Sequence, residues 1–189
     1  MFDYYFACAR LALDENRPDL AMRSLDMALL ASVAVEGVRA DRLNDCGSLF
    51  AGHGLWREAR AFFGKALDAE PGHRAAQLNL ARMLALEGDY AGALARFDAL
   101  LVDDPRDEAA LWLGAHCLMR MSAWPKAAAR FERYAELRPL DWRVYRELGR
   151  LQERAGAGEQ AKTLFEKALE LNPDQPGLAR WLARHAASG

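Results

Sequence analysis

Apolar residues recur along this chain at helical spacing. The stretch 158–173 carries four of them on one stripe with the 3.6-residue period of an amphipathic helix, namely Ala161, Phe165, Ala168 and Leu169. Pro173 follows and ends this helix, because the residue before a proline is pushed out of the α region. The pattern therefore predicts a helix from about Glu159 to just before Pro173.

A second helix is predicted directly upstream. Asp141 is suited to cap a helix that runs from Trp142 to about Ala155, since its side chain can accept from a free amide of the first turn. Gly156 then ends that helix, because glycine readily takes the positive φ of a tight turn. The unit 142–175 is thus predicted to be a helix–turn–helix.

The same unit is repeated along the chain with a period of 34 residues. The prolines that end the units are Pro71, Pro105, Pro139 and Pro173. The phenylalanines eight residues before them are Phe63, Phe97, Phe131 and Phe165, and the alanines twelve residues before them are Ala59, Ala93, Ala127 and Ala161. The turn positions are Gly54, Gly88, Ser122 and Gly156. A period in this range predicts a helical array rather than a globular core.

A further column of small residues completes the pattern: Gly47, Ala81, Ala115 and Gly149. Together these columns resemble the tetratricopeptide repeat. The resemblance implies an all-α, right-handed superhelical solenoid whose concave groove is lined by the first helix of each unit and holds a segment of another protein. It also implies that the alanine column lets the two helices of a unit approach closely, and that the phenylalanine fills the space between units.

The resemblance predicts a single array over residues 1–189. Four repeats match well, at 40–73, 74–107, 108–141 and 142–175, and a degenerate copy is predicted at 2–35. In that copy Ala21, Leu25 and Val33 hold the alanine, phenylalanine and proline positions, and a four-residue insertion, 36–39, follows. The stretch 176–187 is predicted to be a capping helix with Leu178, Trp181 and Leu182 on one side, because such arrays need their last apolar face covered.

Composition narrows the classes of function. The chain is 52% hydrophobic and 28% charged, with a net charge of −2, which argues against a general affinity for nucleic acid. Its three cysteines have no metal-like spacing, and no secretory signal or membrane span is indicated, which favours the cytoplasm. The abundance of Ala, Arg and Leu suggests a GC-rich bacterial source. No motif of a catalytic, metal or cofactor site occurs, so we expect neither an enzyme nor a cofactor.

Four arginines form the most informative surface feature. Arg143, Arg146, Arg150 and Arg154 are spaced by three and four residues, which places them on one face of a helix; we call them the arginine stripe. By resemblance this is the groove face, and the matching upstream positions hold Arg82, Trp112, His116 and Arg120. The terminal-helix residues Arg180 and Arg184 are candidates to extend the stripe.

Two interpretations of the arginine stripe are open. It can be an anion-binding groove for an acidic or C-terminal peptide, because arginine binds carboxylates bidentately, with Trp112, Leu78 and Met119 as apolar anchors. Alternatively, it can be a solvated face on which Glu147 and Glu153 pair with the arginines at helical spacing. We favour the groove, because two carboxylates on the same helix cannot pair with four arginines.

One narrower hypothesis is excluded. Some relatives clamp the terminal carboxylate of chaperone tails with lysines, asparagines and an arginine on three successive first helices. The corresponding positions here are Asn44, Ser48, Asn79, Ala109 and Leu113, and none of them is a cation.

Other aromatic residues and the cysteines are predicted to be structural. Trp56, Tyr90 and Trp124 share a column and should pack against the neighbouring turn. Phe2, Tyr4, Tyr5 and Phe6 should form the packed face of the first helix, with self-association as the alternative. Cys8, Cys46 and Cys117 should be small core residues.

The predicted function is that of an adaptor, scaffold or assembly chaperone that binds a partner segment of acidic character in its groove. The alternatives are nucleic-acid binding through the arginine stripe, self-assembly, or the repeat portion of a longer enzyme. If Arg146 and Arg150 are exposed charges, their reversal to Glu should abolish partner binding and leave the melting temperature almost unchanged.

Overall fold

The computed structural model describes residues 1–30 and 38–186, and within these ranges the chain forms eleven α-helices and no strand. In chain order they are α1 Phe2–Asp14, α2 Pro18–Leu30, α3 Val38–Gly52, α4 Trp56–Ala69, α5 Arg74–Glu87, α6 Tyr90–Asp103, α7 Glu108–Arg120, α8 Trp124–Leu137, α9 Trp142–Arg154, α10 Gly158–Leu171 and α11 Pro176–Ala186. The predicted all-α fold is confirmed.

The helices follow the predicted repeats. Each of the four well-matched repeats holds one pair of helices, and α9 and α10 differ from their predicted bounds by a single residue. The degenerate copy also contains a pair, α1 and α2. Val33 and the start of the insertion at Glu36 lie outside the described residues, and α11 packs on α10 as a terminal helix.

The turn inside each described helix pair adopts a left-handed backbone. Gly54, Gly88 and Gly156 have φ values of 73°, 90° and 77°, and Ser122 holds the same position with φ 60°. In the degenerate copy the equivalent residue is Asn16, with φ 57°. Asparagine tolerates this region better than most residues, because its side chain can hydrogen-bond locally. The turn inside each described helix pair therefore has one backbone conformation.

In three repeats a side chain caps the N-terminus of the first helix. The cap is the predicted Asp141 in one of them and the residue at the equivalent position in the other two. Asp141 accepts from the Arg143 amide, Asp107 accepts from the Ala110 amide, and His73 accepts through Nδ1 from the Ala76 amide. These caps satisfy donors that have no partner inside the helix.

The phenylalanine column packs both within its own repeat and against the next element: the Phe165 ring lies 4.7 Å from that of Trp181 on α11, and a Cβ built on Gly114 of α7 would lie 3.5 Å from Phe97. A Cβ built on Gly47 would lie 2.6 Å from the Phe63 ring and 3.1 Å from the Ala59 carbonyl, so the two helices of this repeat meet at the small residue. Gly149 meets the Phe165 ring in the same way. The alanine column is fully buried, and its role in close helix approach is confirmed.

The chain divides into two compact units, residues 1–96 and 97–189. The first has a core built around Leu25, Phe50, Phe62 and Phe63. In the second, the largest fully buried side chains are Phe97, Leu111, Phe131, Val144 and Phe165. The prediction of one continuous array over residues 1–189 stays a prediction.

Candidate functional site

The arginine stripe lies on α9, within the unit 97–189. Its four guanidinium groups make contacts inside the chain, and only some of these are expected from the helix sequence alone. Two carboxylates and three tryptophans meet them: Asp141, Glu147, Trp112, Trp124 and Trp142.

Arg143 is paired with the cap of its own helix. Its Nε and Nη2 atoms donate to the two carboxylate oxygens of Asp141, at 2.9 and 2.7 Å, and its guanidinium also lies 5.4 Å from the Trp112 ring centroid. These hydrogen bonds hold the pKa of Asp141 below its ordinary value despite partial burial, and they raise the pKa of Arg143. Asp141 therefore has two roles, since it caps α9 and orients the first arginine of the stripe.

Glu147 is buried beneath the middle of the stripe. Its carboxylate accepts from Nε and Nη2 of Arg146 at 3.0 and 2.8 Å, and more weakly from Nη1 of Arg150 at 3.3 Å. The side chain of Glu147 is only 4% exposed and that of Arg146 is 28% exposed, whereas Arg150 is 56% exposed. The premise that Arg146 is an exposed charge is wrong, because it compensates a buried carboxylate.

The last arginine has no carboxylate partner among the described residues. The Arg154 guanidinium lies 4.2 Å from the centroid of the Trp124 ring, a cation–π contact. Glu153, expected to pair with an arginine, instead accepts at 2.5 Å from the indole Nε1 of Trp181 on α11. The alternative interpretation, in which both glutamates pair with the arginines, is therefore met by Glu147 and not by Glu153.

Trp112 and His116 pack into the repeat and leave only part of their surface exposed. The Trp112 ring lies 5.3 Å from Phe131, 5.0 Å from Tyr134 and 4.9 Å from His116. Burial lowers the pKa of His116, and nearby Arg146 lowers it further against the opposing effect of Glu147. We therefore expect a neutral ring at neutral pH, and Trp112 is first a packing residue that also contacts Arg143.

The other predicted groove residues are exposed or half-buried on their own helices. Arg120 is exposed at the end of α7, Arg180 and Arg184 are exposed on α11, and Arg82 is exposed on α5 in the unit 1–96. Leu78 is half-buried on α5 as well. The structure brings together Trp112, His116 and the arginine stripe.

A cavity lies at the C-terminal end of the stripe. It has a volume of about 380 Å³ and is lined by Met119 of α7, Trp124 of α8, and Arg150, Leu151, Glu153 and Arg154 of α9; we call it the Trp124 pocket. Its lining is mostly apolar, with two guanidinium groups and one carboxylate. The sequence pattern indicated Met119 as an anchor but assigned Trp124 to turn packing, because nothing local shows that the next repeat brings Arg154 to its ring.

The remaining sequence expectations concern residues outside this site. Asn79 donates to Asn44 at 2.9 Å, so the two matching asparagines of the excluded chaperone clamp bind each other. Phe2 is buried and stacks on Phe6, whereas Tyr4 is 68% exposed. Cys46 and Cys117 are buried as expected, but Cys8 is only half-buried.

No helix in the described ranges has both the length and the apolar character needed to cross a bilayer. Likewise, the described histidines, cysteines and carboxylates include no group of three or more placed to hold a metal ion.

Solved structures with a similar fold are repeat proteins of one class. A tetratricopeptide repeat protein from Parabacteroides merdae ATCC 43184 has a TM-score of 0.79 at 18% identity, covering 97% of this chain and 71% of that one. YrrB, a tetratricopeptide repeat protein with an unusual peptide-binding site, has a TM-score of 0.70 at 23% identity, covering 98% and 91%. These similarities show that the fold is a solenoid of tetratricopeptide repeats.

Sequence comparison identifies the family. Two models of the tetratricopeptide repeat match, one over residues 51–112 and the other over residues 113–176, and together they cover more than half of the chain. The chain belongs to the tetratricopeptide repeat family. It is also 30% identical over 121 residues to the cellulose synthase operon protein C of Pseudomonas fluorescens strain SBW25, a match that covers 60% of this chain and 9% of that protein.

Proposed function

We propose that this chain is a non-catalytic adaptor, scaffold or assembly chaperone that holds an acidic segment of a partner protein along the arginine stripe. One observation carries the proposal. The stripe presents four guanidinium groups on one face of α9, and within the described chain only two carboxylates, Asp141 and Glu147, contact them. The surface therefore keeps an excess of positive charge in a chain whose net charge is −2.

The stripe offers donors that are already oriented. Arg146 uses two donor atoms on Glu147, whereas Arg150 makes only long contacts with it and remains largely exposed. Guanidinium groups held in place lose less side-chain entropy when they bind, so a partner carboxylate is bound at lower cost. Because Asp141 and Glu147 already engage donors of Arg143 and Arg146, Arg150 and Arg154 are the principal binding residues.

Two relatives support a protein partner in a bacterial setting. YrrB is described as having an unusual peptide-binding site, and the sequence relative is encoded in a cellulose synthase operon. The match covers 9% of that relative's length. We therefore include in the proposal that the chain works in the cytoplasm of a bacterium, within a larger assembly.

The test compares affinity capture from the native cell by the wild type and by Arg150→Glu/Arg154→Glu. These positions are preferred to Arg146 because they leave the main partner of Glu147 in place. The matched control is Lys126→Glu/Lys162→Glu, which changes the net charge equally but lies on the second helices α8 and α10. Capture is run at low and moderate salt, with and without nuclease.

We expect a discrete protein that the wild type and the control recover and the arginine variant loses, with weaker recovery at higher salt. Direct titration with the recovered partner should then show the same loss of affinity. Recovery that nuclease abolishes would support nucleic-acid binding instead. Equal recovery by all three forms would remove the arginine stripe from the binding surface.

A further inference from the structure

The Trp124 pocket combines an apolar lining with cationic groups. Met119, Leu151 and the Trp124 ring supply the apolar surface, and Arg150 and Arg154 supply the charge. Its volume of about 380 Å³ is near the lower end of the range for ligand sites. It has room for one large side chain, and not for a helix.

Charge and shape together indicate what fits. A polarizable thioether and an indole both favour aromatic groups, through sulfur–aromatic and ring contacts. The Arg154 guanidinium covers the Trp124 ring without a carboxylate partner in the described chain, and Arg150 is more than half exposed. The complementary ligand is therefore an aromatic side chain with a carboxylate beside it.

The length of the stripe matches a segment of several residues rather than a single terminal carboxylate. Arg143 and Arg154 are eleven residues apart on one helix, which corresponds to about 16 Å at about 1.5 Å per residue. An extended chain of about five residues spans that distance. A partner that fills the pocket can therefore continue along the stripe and place further carboxylates there.

The terminal helix contacts the one carboxylate that lines the pocket. Glu153 lines the pocket and lies one helical turn after Arg150, where its carboxylate could pair with that arginine. Instead it accepts from Trp181 Nε1 at 2.5 Å. Trp181 is itself held by ring contacts with Phe165 at 4.7 Å and His185 at 3.8 Å.

We propose that the Trp124 pocket anchors an aromatic side chain within an acidic internal segment of the partner, and that Trp181 keeps the pocket cationic by holding the Glu153 carboxylate. This inference rests on the proposed function. It specifies which type of partner residue the pocket binds. It also gives α11 a second role, because α11 positions Glu153 as well as serving as the predicted cap.

The test uses a short fluorescein-labelled peptide of glutamates with one central phenylalanine, acetylated and amidated so that it has no free ends. The comparison peptide has alanine in place of the phenylalanine. On the wild type we expect anisotropy titrations to show about tenfold tighter binding of the phenylalanine peptide, as expected for burying much of an aromatic ring. In Trp124→Ala that difference should disappear.

The outcomes separate the two proposals. If both peptides bind the wild type equally, with an affinity that Arg150→Gln/Arg154→Gln reduces, the acidic groove stands and the aromatic anchor is refuted. If neither peptide binds the wild type, the acidic groove and the anchor are both refuted. Salt-insensitive binding of the phenylalanine peptide would refute the carboxylate part of the inference.

The role of Trp181 is tested by a double-mutant cycle. Trp181→Phe keeps an aromatic ring against Phe165 but removes the indole donor, and it should weaken the phenylalanine peptide severalfold. In the Glu153→Gln background the same substitution should have little effect, because no carboxylate is released into the pocket. Equal weakening in both backgrounds, or none in either, would overturn the positioning role, and thermal melts of each variant check that α11 stays docked.

Discussion

The buried carboxylate of Glu147 makes Arg146 the most informative position for a stability experiment. Arg146→Met keeps much of the aliphatic stem but removes the two shortest hydrogen bonds to Glu147. Removing one partner of a buried ion pair costs about 3–5 kcal/mol. Here Arg150 remains at 3.3 Å and Arg146 is 28% exposed, so we expect a smaller loss, about 2–3 kcal/mol, which corresponds to a fall in Tm of about 4–12 °C.

The assay is chemical and thermal unfolding followed by far-UV circular dichroism. Glu147→Gln in the Arg146→Met background should recover most of the loss, because the neutral amide has no charge to leave uncompensated. Arg150→Met is the matched control, with an expected cost below about 1 kcal/mol because its contacts are long and exposed. An Arg146→Met variant as stable as the wild type, or one that Glu147→Gln fails to rescue, would refute the account of Glu147 as a buried, compensated carboxylate.

Two further predictions concern the core. Phe131→Ala should cost about 3–5 kcal/mol, since the ring is fully buried against Trp112 and His116; a thermally neutral variant would contradict its place in the phenylalanine column. Burial, with the nearby Asp45 charge, raises the pKa of Cys46 to about 12, so at mildly alkaline pH iodoacetamide should label it only after unfolding. Because the thiol holds its proton longer in the folded state, this group's contribution to stability should fall as the pH rises above 9.0, the ordinary pKa. Rapid labelling of Cys46 in the native protein, measured by mass spectrometry, would refute its assigned burial.

Most of the fold was predictable from the sequence because its signals are local and repeated. Gly156 and Pro173 bound α10 through backbone constraints that act on neighbouring residues only. Four aligned copies then strengthened each signal, so that even Ser122, a poor match to the glycine column, was assigned to the correct turn. The degenerate first repeat was also recognised as a helix pair, although it lacks the proline.

The partners of the phenylalanine column inside its own repeat could not be predicted from the spacing. Its spacing shows that Phe63 and Phe165 are buried, but burial alone does not say which neighbour they meet. The glycines at 47 and 149 provided the relevant signal, since a residue without a side chain leaves room for a ring. The structure shows that this ring belongs to the second helix of the same repeat.

The sequence predicted the positions of the arginines in the candidate site but not their partners. The sequence by itself determined that four arginines share one face of α9, because helical periodicity places residues three and four apart on one side. It could not determine their partners, since ion pairs and ring contacts depend on distances between helices. Trp181 reaches Glu153 across 28 residues, and Arg154 meets a tryptophan of the preceding repeat. Only the tertiary structure decided which arginines compensate a buried charge and which remain available to a partner.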